Sequence, residues 1–132
     1  MAAPLILTSG EPAGIAPEIT AAAWRALRGE PGATFALLAD AGYWRARNPD
    51  LPVAEIASPA EAGRVFADAL PVLHRPLAAH PTPGRIAAAT APQVIAAIDE
   101  AVDMAFRGEA GGIVTNPIQK EALYSAGFRH QG

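Results

Sequence analysis

The sequence predicts an α/β fold: an open, mostly parallel sheet flanked by helices, in a single α/β segment covering residues 1–132. Two observations carry that prediction. Short apolar segments alternate along the chain with helix-period patterns. Helix starts are marked by prolines at Pro17, Pro59, Pro92 and Pro117, in the first turn, where the missing N–H costs nothing.

The elements follow in order. Leu5–Leu7 is the first strand, and Thr8-Ser9-Gly10, Pro12 and Gly14 form the loop after it. Pro17 and Glu18 begin a helix that runs to about Leu27 and stops at Gly29. Phe35–Ala39 and Val53–Ile56 are the next strands. In "SPAE", Ser58 is the N-cap, Pro59 the first helical residue and Glu61 the capping-box carboxylate. Pro71–Leu73 is the fourth strand, and His74 to Arg85 is a proline-rich extended connection. "TAPQ" repeats the capping logic with Thr90 and Gln93. Behind it Val94, Ile95, Ile98, Ala101, Val102, Ala105 and Phe106 recur at three- and four-residue steps up to Gly108, an apolar stripe that folding alone requires. Gly112–Thr115 is the fifth strand. In "TNPIQKEALYSAG", Asn116 caps, Pro117 starts the helix, Gln119 completes the box, Lys120 falls in the first turn and Gly127 ends it. Trp24, Tyr43 and Trp44 fill the core or its rim.

Composition narrows the function. With 132 residues, 51% of them apolar, the chain supports one domain and one core. A net charge of −3 without a basic stripe gives no source for phosphate neutralisation, so no nucleic acid is expected as a partner. The absence of cysteine removes disulfides, thiolate nucleophiles and Cys-ligated zinc, and fits a reducing compartment. The N-terminus lacks a basic n-region and no apolar run reaches ~18 residues, so neither a signal peptide nor a membrane span is expected and the expected location is cytoplasmic.

Two stretches carry candidate chemistry. "TSGEPAGIAPEI" reads as strand, glycine loop, helix N-terminus. It is not a Walker A loop, and the Gly10 to Gly14 spacing does not match a dinucleotide fingerprint. Glu11 and Glu18 would repel a phosphate, so the loop reads as a rigid turn presenting Gly10 and Glu11 at the carboxyl edge of the sheet, where open α/β folds bind ligands. In the second stretch, a cation at Lys120 opposes the helix macrodipole by ~0.3–1 kcal/mol, whereas a bound phosphate or carboxylate would reverse the sign. Glu121 beside it is the competing, purely superficial partner. His74 and His80 lack the i, i+4 spacing of paired metal ligands, and His130 stands in the tail. No serine sits in a G-x-S-x-G elbow.

Three motifs, "GEPAGIAPEI" at Gly10–Ile19, "PGR" at Pro83–Arg85 and "VTNPIQKEALYSAGF" at Val114–Phe128, resemble in order and separation the N-terminal part of the 4-hydroxythreonine-4-phosphate dehydrogenase family of pyridoxine biosynthesis. The resemblance spans the chain. It implies a cytoplasmic homodimer with an isocitrate/isopropylmalate dehydrogenase-like fold, of which this is the N-terminal part of a longer two-domain enzyme. It further implies NAD or NADP as cofactor and a divalent metal (Zn, Mg or Co). The small phosphorylated substrate, 4-phosphooxy-L-threonine, would be oxidised at its C3 hydroxyl and decarboxylated to 3-amino-2-oxopropyl phosphate in the route to pyridoxal phosphate. Family metal ligands and a His-Thr-Glu substrate motif are expected beyond Gly132, so the 132-residue chain alone is expected to be inactive, with no catalytic or metal-binding residue of its own. Gly10, Glu11, Thr115, Asn116 and Lys120 are then the residues bordering the cleft. Ala16 departs from the glycine usual in the family and is harmless only where φ is negative. Two rivals remain: a family member acting on another hydroxy acid or a cis-dihydrodiol, and a non-catalytic anion-binding or assembly module.

Overall fold

A computed structural model describes residues 3–85, 88–125, 127 and 129. Five strands, β1 Leu5–Thr8, β2 Phe35–Ala39, β3 Val53–Glu55, β4 Leu70–His74 and β5 Gly112–Val114, form one sheet in the order β3-β4-β2-β1-β5. Every pairing is parallel, with Leu7 opposite both Leu37 and Val114. Each strand overlaps the segment its apolar clustering predicts, to within a residue at either end.

Five α-helices connect them: α1 Ala16–Leu27, α2 Ala41–Arg47, α3 Ala62–Val65, α4 Ala91–Phe106 and α5 Lys120–Ser125. Alternate strand residues point to opposite faces, so the sheet builds two cores. One gathers Leu7, Leu37 and Val72 against Trp24 of α1 and Tyr43 and Trp44 of α2. The other gathers Ile6, Ala36, Leu38 and Leu73 against Ala62 of α3 and Ala97, Ala101 and Met104 of α4. Being covered on both faces, β2 is apolar at every position and buried throughout. Trp24 carries its polar edge inward without penalty, because its indole N–H donates to Phe66 O at 2.8 Å. No helix among the described residues is long and apolar enough to cross a membrane.

The helix starts divide into confirmed and corrected. Glu61 accepts from the N–H groups of Ser58 and Ala57, as the capping box requires, but the turn that follows is a 3₁₀ turn, Pro59–Glu61, before the short α3. Ahead of α4, Thr90 ends a 3₁₀ turn with helical dihedrals, so it is not the extended residue an N-cap calls for. Gln93 does not complete a box, because its Oε1 is buried without a hydrogen-bond partner. Only three of the four prolines open a helical turn, since Pro117 precedes α5 by three residues. The sequence pattern missed α2, whose start is capped by Asp40 Oδ1 accepting from Tyr43 N–H at 3.0 Å. Seven residues are too short for a periodic signal, and the cap was its only local mark.

The chain leaves β1 for α1 on one face and leaves β5 for α5, which packs on α4 through Leu123, Ala91 and Val94, on the other. Adjacent strands whose connections part to opposite faces open a crevice at the carboxyl edge. That switch point lies between β1 and β5.

Candidate functional site

The loops after β1 and β5 do not merely approach; they interlock. Gly10 has φ +60, and a Cβ there would lie 2.5 Å from Pro117 O and 2.6 Å from Asn116 Cβ, so both backbone conformation and space demand glycine. The next amide, Glu11 N–H, donates to Pro117 O at 2.8 Å. Buried Asn116 donates through Nδ2 to Thr8 O at 2.9 Å and to Thr20 Oγ1 at 3.0 Å. Asn116 is therefore not a helix cap. Its amide satisfies acceptors across the crevice, where leaving them bare would cost more than one cap returns, and residues 115–119 stay irregular.

The second consequence concerns Lys120. It is exposed and is the first residue of a six-residue α5, which has little macrodipole to offer, so the predicted cradle of helix N–H groups starting at Pro117 is not built. What remains is an exposed ammonium at the start of α5 and, separately, exposed Thr115 at the end of β5. Both are hydrogen-bond donors suited to an anion.

Glu11 is only 6% exposed. Its Oε1 accepts from Ala13 N–H at 3.1 Å, and its carbonyl accepts from Gly14 N–H at 3.0 Å. Burial pushes the carboxyl pKa above the ordinary range, with the Ala13 hydrogen bond opposing it. Glu18, the second carboxylate of this stretch, instead pairs with Arg47, so the two acids are separated in role. Among the described residues no non-glycine has positive φ, so Ala16, the first residue of α1, carries no strain.

The "PGR" segment reaches the same place. Gly84, at φ +81, donates its N–H to Ala13 O at 2.8 Å. Behind it, Asp40 accepts from Leu77 N–H at 2.9 Å and meets His80 Nε2 at 3.1 Å, while His74 Nδ1 accepts from Ala41 N–H at 3.1 Å. Burial alone would raise the Asp40 carboxyl, but the two backbone donors and the His80 imidazole outweigh it and hold it below the usual range. His74 and His80 are thus engaged in holding the connection. Among the described residues no group of three His, Cys, Asp or Glu could hold a metal; His130 lies outside them.

A doubly wound parallel sheet with paired loops at its switch point is the arrangement with which open α/β proteins bind ligands. The model of the family described as "Pyridoxal phosphate biosynthetic protein PdxA" matches residues 32–132. The chain belongs to this family. It is 43% identical over 129 residues to a 4-hydroxythreonine-4-phosphate dehydrogenase of Caulobacter vibrioides, covering 98% of this chain and 38% of the relative. A relative of the same name from Methylorubrum populi is 46% identical over 136 residues, covering 98% and 38%. The crystal structure of 4-hydroxythreonine-4-phosphate dehydrogenase from Klebsiella pneumoniae superposes with a TM-score of 0.81 at 30% identity, covering 99% of this chain and 42% of that one. The chain therefore spans about two-fifths of the length of the relatives it matches.

Proposed function

We propose that this segment forms one wall of the active site of a cytoplasmic, homodimeric dehydrogenase that oxidises the C3 hydroxyl of 4-phosphooxy-L-threonine with NAD or NADP. The β-keto acid formed then loses CO2 to leave 3-amino-2-oxopropyl phosphate. The observation that carries this reading is the convergence of three family-like motifs on one loop, through Glu11 N–H to Pro117 O and Gly84 N–H to Ala13 O. Relatives named for this activity support it. In the complete protein, the segment would join a second part in an isocitrate/isopropylmalate dehydrogenase-like fold.

The described residues do not group to fit a divalent metal, and the sequence contains no dinucleotide fingerprint, so both groups would be held chiefly by the rest of the protein. This chain's own contribution is positional. Exposed Lys120 and Thr115 offer donors to an anionic substrate group. Glu11, kept protonated to higher pH than an ordinary carboxyl, can hold a proton at the cleft wall.

The test is NAD(P)H formation, followed by absorbance, by the complete gene product with added divalent metal. 4-Phosphooxy-L-threonine should be turned over in preference to a phosphorylated sugar acid or an aromatic cis-dihydrodiol. Preference for one of the latter would reassign the substrate, and no turnover of any would favour the non-catalytic module.

A further inference from the structure

Three consecutive carbonyls of the first motif loop are engaged from outside the cleft. Ala13 O accepts from Gly84 N–H. Pro12 O accepts from Tyr43 Oη at 2.7 Å and from Arg47 Nη1 at 2.8 Å, and Gly14 O accepts from Arg47 Nη2 at 3.0 Å. Arg47 also donates to Tyr43 Oη at 2.9 Å and to Glu18 Oε1, and its side chain is only 12% exposed. The hydroxyl and both terminal nitrogens are used: the tyrosine hydroxyl gives its one proton to Pro12 O and accepts from the guanidinium, whose planar fork spans two carbonyls.

The peptide between Pro12 and Ala13 converts this clamp into a statement about Glu11. The unit is planar and trans, so its C=O and N–H point in opposite directions. Pulling Pro12 C=O toward α2 turns Ala13 N–H the other way, where it meets Glu11 Oε1 at 3.1 Å. A cation on the carbonyl also polarises the peptide and strengthens the N–H as a donor.

We propose that Arg47 and Tyr43 are positioning residues for Glu11, acting through the Pro12–Ala13 peptide to aim one N–H at its carboxylate. Among the described residues their side-chain hydrogen bonds go to Pro12, Gly14, Glu18 and each other rather than to the loop after β5, and neither is singled out by the sequence motifs. The proposal rests on the cleft assignment above.

The experiment is Arg47→Lys in the complete gene product, read two ways. Kinetics with 4-phosphooxy-L-threonine and NAD(P)+ should show kcat reduced about tenfold or more, with KM changed much less, because a misaimed group raises the barrier rather than weakening binding. The ¹³C carboxyl signal of Glu11 should titrate at higher pH than in the parent, since the hydrogen bond that favours the charged form is lost. Tyr43→Phe, which keeps the ring and removes one donor to Pro12 O and one acceptor from Arg47, should move both readouts in the same direction by less, and it carries the test if Arg47→Lys does not fold. A lowered Tm with unchanged kcat and unchanged Glu11 titration would overturn the proposal. If the parent protein itself turns over no substrate, the functional reading fails, while the Glu11 titration still decides the positioning role.

Discussion

Asn116 Nδ2 and Thr20 Oγ1 lie 3.0 Å apart, a buried hydrogen bond that crosses 96 residues of sequence and joins the loop after β5 to helix α1. Thr20 in turn donates to Ala16 O at 2.7 Å, so the first turn of α1 and the carboxyl edge of β5 share one hydrogen-bond chain. Asn116→Ala strands Thr8 O and removes this link. It should destabilise the protein by about 1–3 kcal/mol, the cost of an unsatisfied buried polar group. Urea unfolding, with Cm lowered at constant m, is the measurement.

Gly10→Ala should be worse than its single methyl suggests. The left-handed backbone costs about 1–2 kcal/mol for an L-residue, and the new Cβ would stand 2.5 Å from a backbone oxygen that cannot swing away. Displacement of the Pro117 segment would show as faster amide exchange at Glu11, whose N–H bonds Pro117 O. Unchanged exchange would contradict the interlock.

Stability should depend on pH with two opposing contributions. Folded Glu11 keeps its proton above the ordinary carboxylate range, so the folded state binds more protons in that window and stability falls as pH rises through it. Asp40 is held below its ordinary value, so its contribution is present above that value and lost as pH falls toward the folded one. Glu11→Gln should flatten the first slope and leave the second; denaturant titrations across about pH 2–7, a range that brackets the ordinary carboxylate values of ~4, would read it.

Lys120 is exposed at the start of α5. Lys120→Ala in the complete protein should leave Tm within about 1–2 °C, as expected of surface positions. It should raise KM for the phosphorylated substrate about tenfold, the loss of one charge-assisted contact of ~1.4 kcal/mol. Unaltered KM with a shifted Tm would mark it as structural.

Much of this architecture was legible because it rests on local signals. All five strands stand where aliphatic clusters predicted them, and α1 and α4 where their prolines and apolar periods placed them. The site was legible in part. Gly10, Glu11, Thr115, Asn116 and Lys120 were singled out, but the cap assigned to Asn116 and the helix starting at Pro117 were local readings of residues whose partners are remote. Tyr43 appeared only as a core aromatic and Arg47 not at all, because a donor to Pro12 O carries no mark within its own seven-residue helix.

By itself, then, the sequence determined the order and type of the elements, the absence of cysteine chemistry and the membership of a family, since periodicity, turn residues and motifs are properties of short stretches. Tertiary structure alone decided which carbonyls accept from which side chains. Buried polar groups must find partners wherever the fold brings them, and hydrogen bonds between Arg47 and Pro12 or Asn116 and Thr8 are set by packing across the sheet rather than by neighbours in the chain.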